Sequence, residues 1–305
     1  MITSISKRIK WKGLLFGFCI CVSVIGYTVW DNHRIIIEEQ EIVIDHLPEE
    51  LDGFAILQIT DLHEREFGKN QIKLLEAIRS IEYDAIVFTG DMLDAASSTN
   101  YKPFYTLIEG IENKEIALFV PGNTDPQIDP IDHVKNDFIK GMEQREVKWL
   151  ESVYTTKIAD STVYFVNFEK SIMKYQNEIK RLSGMKDADI LVALSHYPVI
   201  DEKIDTIKMD DYYQFRNYDL IIAGHYHGGQ IRLPFIGALF VPEESYLWGG
   251  LFPPSDRVKG LWEYKKTKQY VSTGLGSSDA IPFMKFRFLN PPEINLLTFK
   301  KSNGE

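Results

Sequence analysis

The sequence predicts an α/β fold, in which helices cover a sheet whose strands are buried on both faces. Short, almost continuously apolar stretches are typical of such strands, and they occur at residues 55–60, 85–89, 116–120, 190–194 and 220–223. Apolar residues recur at helical spacing near residues 71–81, 103–111 and 132–150. From residue 230 onward, short strand-like runs with glycine and proline replace the helical patterns, so we expect a β-rich second half of the same domain.

The first 34 residues are predicted to be a membrane anchor. Residues 13–30 contain no charged side chain, and 18 helical residues span about 27 Å, close to the thickness of a bilayer's hydrocarbon core. Basic residues precede this run, so the positive-inside rule places the N-terminus in the cytoplasm. A cleavable signal peptide is the alternative, although the run is long for one. We therefore expect a single-pass protein of the cell membrane with an extracytoplasmic catalytic domain at residues 35–305.

The composition excludes some classes of function. The 305 residues carry a formal net charge of −10, and residues 35–305 hold 29 Lys and Arg against 43 Asp and Glu. An acidic domain is a poor partner for nucleic-acid phosphates, so we expect no nucleic-acid binding. The two cysteines, Cys19 and Cys21, both lie in the apolar run, which excludes a disulfide framework or a thiolate zinc site in the domain.

Polar residues suited to metal binding follow five of the predicted strands. In chain order they are Asp61 and His63, Asp91, Asn123, His196, and His225 with His227. Strand ends in an α/β sheet deliver side chains into the loops where sites form. Imidazole and carboxylate together suit Zn, Fe or Mn, so we expect a pair of such ions. We also expect each D-x-H or H-x-H pair to bind in one region, because side chains two residues apart in an extended segment point the same way.

These five blocks, in this order, resemble the calcineurin-like metallophosphoesterase superfamily. The family pattern D-x-H, G-D, G-N-H-D/E, H, G-H-x-H corresponds here to residues 61–63, 90–91, 122–125, 196 and 224–227. Further stretches at 232–240, 271–278 and 290–294 resemble the membrane-anchored bacterial branch of YkuE- and YaeI-type phosphodiesterases. The resemblance runs from about residue 40 to the C-terminus. It implies an αββα sandwich of two mixed β-sheets flanked by helices.

The resemblance also implies a role for each residue of the pattern. The ligands of a first divalent ion correspond to Asp61, His63 and His227, those of a second to Asn123, His196 and His225, and the bridging carboxylate to Asp91. A hydroxide held between the two ions attacks phosphorus in such a centre. We therefore expect two divalent ions (Mn, Fe or Zn) as cofactors, and catalytic roles for Asp91, Asn123, Thr124 and His225.

Thr124 departs from the family pattern. Many relatives have a histidine at this position, which contacts the phosphoryl group and protonates the leaving oxygen. A threonine donates hydrogen bonds but is no general acid near pH 7. We therefore expect a substrate with a good leaving group, such as a pyrophosphate or an activated diester, unless Asp125 or a group of the substrate supplies the proton.

The sequence thus predicts a membrane-anchored, metal-dependent phosphoester hydrolase that cleaves a phosphodiester or pyrophosphate of a lipid-linked or envelope substrate. The alternative is a non-catalytic membrane-anchored scaffold that retains the fold. Degenerate relatives of that kind lose metal ligands, whereas all seven are retained here. A metallopeptidase would need a helical pair such as H-E-x-x-H, which the sequence lacks.

Overall fold

Two mixed six-stranded β-sheets form the centre of the molecule. The structure is a computed structural model that describes residues 2–128, 135–174, 177–246, 248–278 and 285–302. Across the first sheet, the strands are β1 (Ile36–Ile44), β14 (Glu293–Lys301), β2 (Ala55–Ile59), β3 (Ala85–Phe88), β4 (Ala117–Phe119) and β5 (Lys148–Trp149). Across the second, they are β12 (Gly260–Tyr264), β13 (Thr267–Val271), β9 (Leu220–Ala223), β8 (Ile190–Leu194), β7 (Ser161–Asn167) and β6 (Val153–Ile158). A small antiparallel hairpin joins β10 (Arg232–Leu233) to β11 (Gly237–Ala238).

Helices cover the outer faces of both sheets. They are α2 (Ile72–Arg79), α3 (Lys102–Gly110), α4 (Asp137–Glu143), α5 (Phe168–Ser171) and α6 (Asp201–Met209), and a further helix, α1 (Ile2–His33), precedes the sheets in the chain. Short 3-10 helices lie at Glu49–Leu51, Lys69–Gln71, Asn177–Gly184 and His227–Gly229. The predicted αββα sandwich is therefore confirmed.

Clusters of buried apolar side chains hold these layers together. Between the sheets, Val87 and Leu118 of the first sheet pack in one cluster with Phe165 and Val192 of the second. Helices α2, α3 and α4 cover the outer face of the first sheet, and α5 and α6 cover that of the second. Because the inner strands are buried on both faces, all five residues of β2 are buried, which explains its apolar sequence.

The strand directions bring the polar strand ends together. Strands β2, β3 and β4 are parallel neighbours in the first sheet, and β8 and β9 are parallel neighbours in the second. Each of these five strands is followed by one of the motifs with candidate metal ligands. In parallel neighbours the carboxyl ends lie at one edge, so the loops of each sheet gather there.

The prediction of a helix over residues 132–150 is wrong beyond residue 143. Within the described residues, α4 covers only Asp137–Glu143, and its start is capped by the Asn136 side chain, which accepts a hydrogen bond from the Ile139 amide at 3.0 Å. The backbone of Glu146 has a left-handed φ of 69°, which ends the helical path. The chain then forms β5, which pairs with β4. Residues 129–134 lie outside the described residues.

Helix α1 lies apart from the layers but is joined to them at its end. Its segment Trp11–His33 is long and apolar enough to cross a membrane, and none of the most apolar window is buried in the protein. Its last turn is bound to the domain, where the Asn32 side chain donates to the Arg287 carbonyl at 2.6 Å and accepts from the Arg287 amide at 2.8 Å. The Arg65 guanidinium also donates to the Asn32 carbonyl.

Candidate metal centre

The seven side chains of the predicted ligand set come together where the loops of the two sheets meet. Two groups have ligand atoms within 4.8 Å of one another: Asp61, His63 and His227 form one, and Asp91, His196 and His225 form the other. All are buried except His225, which is partly exposed. Each group joins a loop of the first sheet to a loop of the second, so the centre depends on the packing of both sheets.

The first group converges on one point between two imidazoles. The Nε2 atoms of His63 and His227 are 3.2 Å apart, and Asp61 Oδ1 lies 3.6 Å from His227 Nε2. The Asp61 carboxylate is oriented by the Thr60 hydroxyl, which donates to Oδ2 at 2.8 Å, and by the His225 amide. Two imidazoles and a carboxylate in this arrangement fit a divalent transition ion.

The second group is arranged around His196. Its Nε2 atom lies 3.1 Å from both Asn123 Oδ1 and His225 Nδ1. Its Nδ1 atom lies 2.8 Å from the Thr89 carbonyl, which can only accept a hydrogen bond. The proton is therefore held on Nδ1, which leaves the Nε2 lone pair for a cation.

Asp91 lies between the two groups. Its Oδ2 atom is 3.6 Å from His63 Nε2 and 3.3 Å from His196 Nε2. Its other oxygen accepts a hydrogen bond from the Thr124 amide at 2.9 Å. One carboxylate oxygen thus faces a ligand of each group, which is the geometry that a bridging carboxylate requires.

Burial and mutual charge control protonation at the centre. Burial raises the pKa of Asp61 to about 7. It lowers the pKa of three histidines, which are His63, His225 and His227, and the nearby His196 lowers that of His225 further, to about 3. Burial would also lower the pKa of His196, but the negative charge of Asp91 raises it to about 9. Neutral imidazoles keep a lone pair free, so most of the cluster is prepared to hold cations.

Two glycines are needed for the close approach of these loops. A Cβ atom on Gly122 would lie 2.1 Å from Asp91 Oδ1, and one on Gly224 would lie 2.5 Å from Asp61 Oδ2. Neither position leaves room for a side chain. The glycines that precede Asn123 and His225 in the sequence therefore belong to the geometry of the centre.

The hypothesis that Asp125 supplies a proton to the leaving group is contradicted by its surroundings. Asp125 is wholly buried, and its two oxygens accept hydrogen bonds from the backbone amides of Asp91, Met92, Leu93 and Gly122 at 2.7–3.3 Å. Burial raises its pKa to about 6. The carboxyl therefore fixes the loop that carries Asp91 and does not face substrate.

The Thr124 hydroxyl is also engaged with the backbone. It donates to the Leu93 carbonyl at 2.6 Å, while Asn123 beside it is exposed. The structure thus places Thr124 next to the predicted bridging carboxylate, with its hydroxyl proton already used in a hydrogen bond.

The argument from extended segments fails, although the residues do converge. Asp61, His63, His225 and His227 all have a left-handed φ, between 47° and 70°. Asp61 and His63 join the same group, but His225 and His227 join different ones. Tight turns, rather than strand alternation, therefore aim these side chains.

Sequence reasoning missed a buried arginine behind the first group. The Arg287 side chain is fully buried and donates to the carbonyls of Thr273, Gly276, Asn290 and His227. The Asn290 side chain also donates to the His227 carbonyl, at 2.7 Å. Burial lowers the pKa of Arg287 to about 10, so it keeps its charge at neutral pH. A lone arginine between aromatic residues carries no sequence signal for this role.

The fold and the centre agree with the sequence family of this chain. Residues 54–229 match the family model of the calcineurin-like phosphoesterases. The chain therefore belongs to that family and is a metal-dependent phosphoester hydrolase. The matched span includes all seven residues of the predicted ligand set.

Similar proteins are found among bacterial enzymes. The chain is 26% identical to the uncharacterized metallophosphoesterase YkuE of Bacillus subtilis, over 91% of this chain and 90% of YkuE. It is 24% identical to the UDP-2,3-diacylglucosamine pyrophosphatase LpxG of Chlamydia muridarum, over 81% of this chain and 84% of LpxG. The solved structure of the sulfate thiohydrolase SoxB from Thermus thermophilus aligns with a TM-score of 0.42 at 11% identity, over 75% of this chain. The chain spans only 53% of the SoxB chain.

Proposed function

We propose that this protein hydrolyses a phosphodiester or pyrophosphate bond at a centre of two divalent metal ions. Asp61, His63 and His227 would hold one ion, and Asn123, His196 and His225 the other. The observation that carries the proposal is the position of Asp91, whose Oδ2 atom faces a histidine of each group at 3.3 and 3.6 Å. A structural carboxylate would need no such pair of histidines.

When bound, the two ions would supply an activated water that attacks phosphorus and would stabilise the attacking and departing oxygens. The chain's own residues set where this happens. Asn123 is exposed and His225 partly exposed, so substrate meets the centre on their side. Asp61 and Asp91 are buried, so substrate does not reach the centre from their side.

The environment of Thr124 favours a substrate with a good leaving group. Its hydroxyl donates to the backbone, and the Asp125 carboxyl is sequestered by four amides. Neither group is placed to protonate a departing alkoxide, whereas a departing phosphate needs little protonation. LpxG, to which the chain is similar, is named a pyrophosphatase, and this supports a pyrophosphate substrate.

We further propose that α1 anchors the enzyme in the cell membrane, with residues 1–34 as the anchor and 35–305 as the catalytic domain. Lys7, Arg8, Lys10 and Lys12 precede the apolar segment, which favours a cytoplasmic N-terminus and an extracytoplasmic domain. A domain held at the bilayer would act on a lipid-linked or envelope phosphate.

Metal analysis and hydrolysis of bis-p-nitrophenyl phosphate by the full chain in detergent test the phosphoesterase proposal. With Mn²⁺ added we expect turnover that a chelator abolishes. Asp91→Asn should lower kcat/KM at least about 100-fold, because even residues behind the ligands of a metal site contribute 10- to 100-fold. Asp52→Asn makes the same change at an exposed position outside the centre and should have no effect. A chain that binds no metal and hydrolyses neither diesters nor pyrophosphates would instead be a scaffold.

A further inference from the structure

A cavity of about 950 Å³ lies between the end of α1 and the metal centre. One wall is the inward side of α1, with Val24, Ile25, Thr28 and Val29. The other wall includes Leu233, Phe286 and Phe288, and His63 of the first ligand group also lines the cavity. This volume is at the upper end of the range of ligand pockets. The cavity therefore connects a predicted metal ligand directly to the apolar helix.

The lining of the cavity changes from apolar to charged toward the centre, where Arg65 and Lys285 lie beside Glu64 and Asp94. Val24 and Asn32 are eight residues apart, about 12 Å along the helix, and only Asn32 contacts the domain around the centre. Near His63, the lining includes Lys285 and Arg65. The Lys285 ammonium lies 2.8 Å from Asp94, whose other oxygen lies 3.7 Å from His63 Nδ1. A molecule with an anionic head and a hydrocarbon tail matches this order.

The apolar end of the cavity lies at the depth of lipid chains. A hydrocarbon core about 30 Å thick takes about 20 helical residues, so a span that begins at Trp11 ends near Trp30. Val24 and Ile25 fall inside that span. Trp30 is suited to the interface, where the Arg34 guanidinium lies 4.8 Å from its ring.

A second apolar surface borders the same cavity. The loop between β10 and β11 fully exposes Phe235 and exposes 56% of Ile236, while Leu233 of β10 lines the cavity. Phe240 and Phe252 are exposed beside this loop. Clustered exposed apolar side chains of this kind mark contacts with a membrane or a partner. Because this surface and α1 border one cavity, a single bilayer can contact both.

We propose that α1 is a wall of the substrate site, and that the cavity receives the hydrocarbon chain of a membrane lipid whose phosphoester bond lies at the metal centre. The lipid would enter sideways from the bilayer, past Val24 and Ile25, without its chain leaving an apolar environment. The two divalent ions of the proposed centre would offset the charge of its phosphate, because Lys285 and Arg65 in the lining are balanced by Asp94 and Glu64. This inference rests on the proposed phosphoesterase function and names the substrate class of that same site.

The test uses the full chain in phosphatidylcholine nanodiscs with Mn²⁺. Its probes are ethyl p-nitrophenyl phosphate and hexadecyl p-nitrophenyl phosphate, and water cleaves each of them to p-nitrophenolate and the alkyl phosphate. Ile25→Trp fills the cavity, and we expect it to lower the hexadecyl-to-ethyl ratio of kcat/KM about tenfold, as the loss of about two buried methylene groups would. Ile20→Trp is the matched control, because Ile20 is on the same helix and does not line the cavity.

The outcomes separate the two proposals. A hexadecyl-to-ethyl ratio of kcat/KM that falls in Ile25→Trp but not in Ile20→Trp supports the lipid site. Hydrolysis of both probes with the same ratio in both variants and the unsubstituted chain overturns it and leaves the phosphoesterase function intact. If the unsubstituted chain hydrolyses neither probe, the result argues against the phosphoesterase function itself.

Photolabelling then decides on the cavity without turnover. Asp91→Asn is labelled with hexadecyl phosphate that carries a terminal diazirine, and the labelled peptides are identified by mass spectrometry. Label on residues 24–33 or 285–288 that Ile25→Trp removes and Ile20→Trp retains supports the lipid site. If Ile25→Trp leaves the labelling of these residues unchanged, the lipid site is overturned.

Discussion

At the scale of single residues, Asp125 shows how a residue in a ligand motif acts without touching substrate. Its carboxylate gathers four backbone amides, three of them from residues 91–93. These bonds fix the turn in which Asp91 adopts a φ of 56°. The position of the predicted bridging carboxylate therefore depends on a neighbour that is itself sequestered.

Asp125→Ala should destabilise the domain strongly. The change leaves buried amides without an acceptor, and we expect the free energy of unfolding to fall by about 3–5 kcal/mol. Thermal unfolding of the full chain in detergent measures this, with Asp52→Ala as a control that loses only one exposed hydrogen bond. Equal melting temperatures for the two variants would contradict the role given to Asp125.

Thr124→His should provide a general acid that protonates poor leaving groups. General acid catalysis contributes at least about 100-fold, so we expect kcat for alkyl phosphoesters to rise by about 100-fold at most in a variant whose site is not otherwise adapted. The gain on bis-p-nitrophenyl phosphate should be much smaller, because p-nitrophenolate leaves without a proton. The ratio of kcat for the two substrates measures the effect, and an unchanged ratio would show that this position does not limit leaving-group departure.

At this scale, the sequence predicts residues whose type suits metal binding and whose order along the chain matches the family pattern. The seven candidate ligands could be named from their positions after buried strands together with the family resemblance, and the structure brings their side chains together. The way they are aimed could not be predicted, since it depends on left-handed turns at residues such as Asp61 and His227. The role of Arg287 could not be predicted, because three of its four carbonyl partners, on Thr273, Gly276 and His227, lie 11 to 60 residues away in the chain.

At the scale of elements, Arg287 holds the turn after β9 against the loops before β14. It donates to the carbonyl of His227 after β9 and to those of Thr273 and Gly276 in the loop after β13, so one guanidinium joins two distant segments. Its own amide and carbonyl bind Asn32 of α1. The first group of candidate ligands and helix α1 therefore share one positioning residue.

Arg287→Lys should weaken metal binding without removing a ligand. Lysine keeps the charge but lacks the planar fork that serves several carbonyls, so His227 loses its support. We expect metal affinity to fall about 10- to 100-fold, as for other residues behind metal ligands. Competition titration with a chelating dye measures the affinity. Arg145→Lys, at a partly exposed ion pair with Glu109, is the control, and equal affinities in both variants would refute the role.

Element prediction was accurate for buried strands and failed where the pairing is distant. Strands β8 and β9 have the predicted limits, because an apolar run between polar ends defines them. The helical interpretation of residues 144–150 failed because Glu146 has a left-handed φ and Lys148–Trp149 then pair with β4 as strand β5. The insertion of β14 beside β2 joins ends of the chain that no local pattern relates.

At the scale of the whole molecule, hydrogen bonds between Asn32 and Arg287 join helix α1 to the domain. Asn32→Ala removes the two side-chain hydrogen bonds that join α1 to Arg287. We expect hydrolysis of hexadecyl p-nitrophenyl phosphate to fall about tenfold, which corresponds to about 1.4 kcal/mol, the size of one such bond. Hydrolysis of the ethyl ester should fall much less.

Asn113→Ala is the matched control for this change. Asn113 makes exposed side-chain hydrogen bonds with the domain, far along the chain from α1. It should leave both activities as they are. If Asn32→Ala affected the ethyl and hexadecyl esters equally, α1 would be a tether and not a part of the site.

The placement of β14 also constrains how the protein matures. Strand β1 starts three residues after α1 ends, and its one partner among the described strands is the C-terminal β14. Strand β1, which follows α1 almost directly, thus stays unpaired until β14 has been synthesised. Contacts between such distant segments slow folding and leave sheet edges open meanwhile. Removal of residues from β14 would therefore first disturb β1 and the end of α1, near the opposite terminus of the polypeptide.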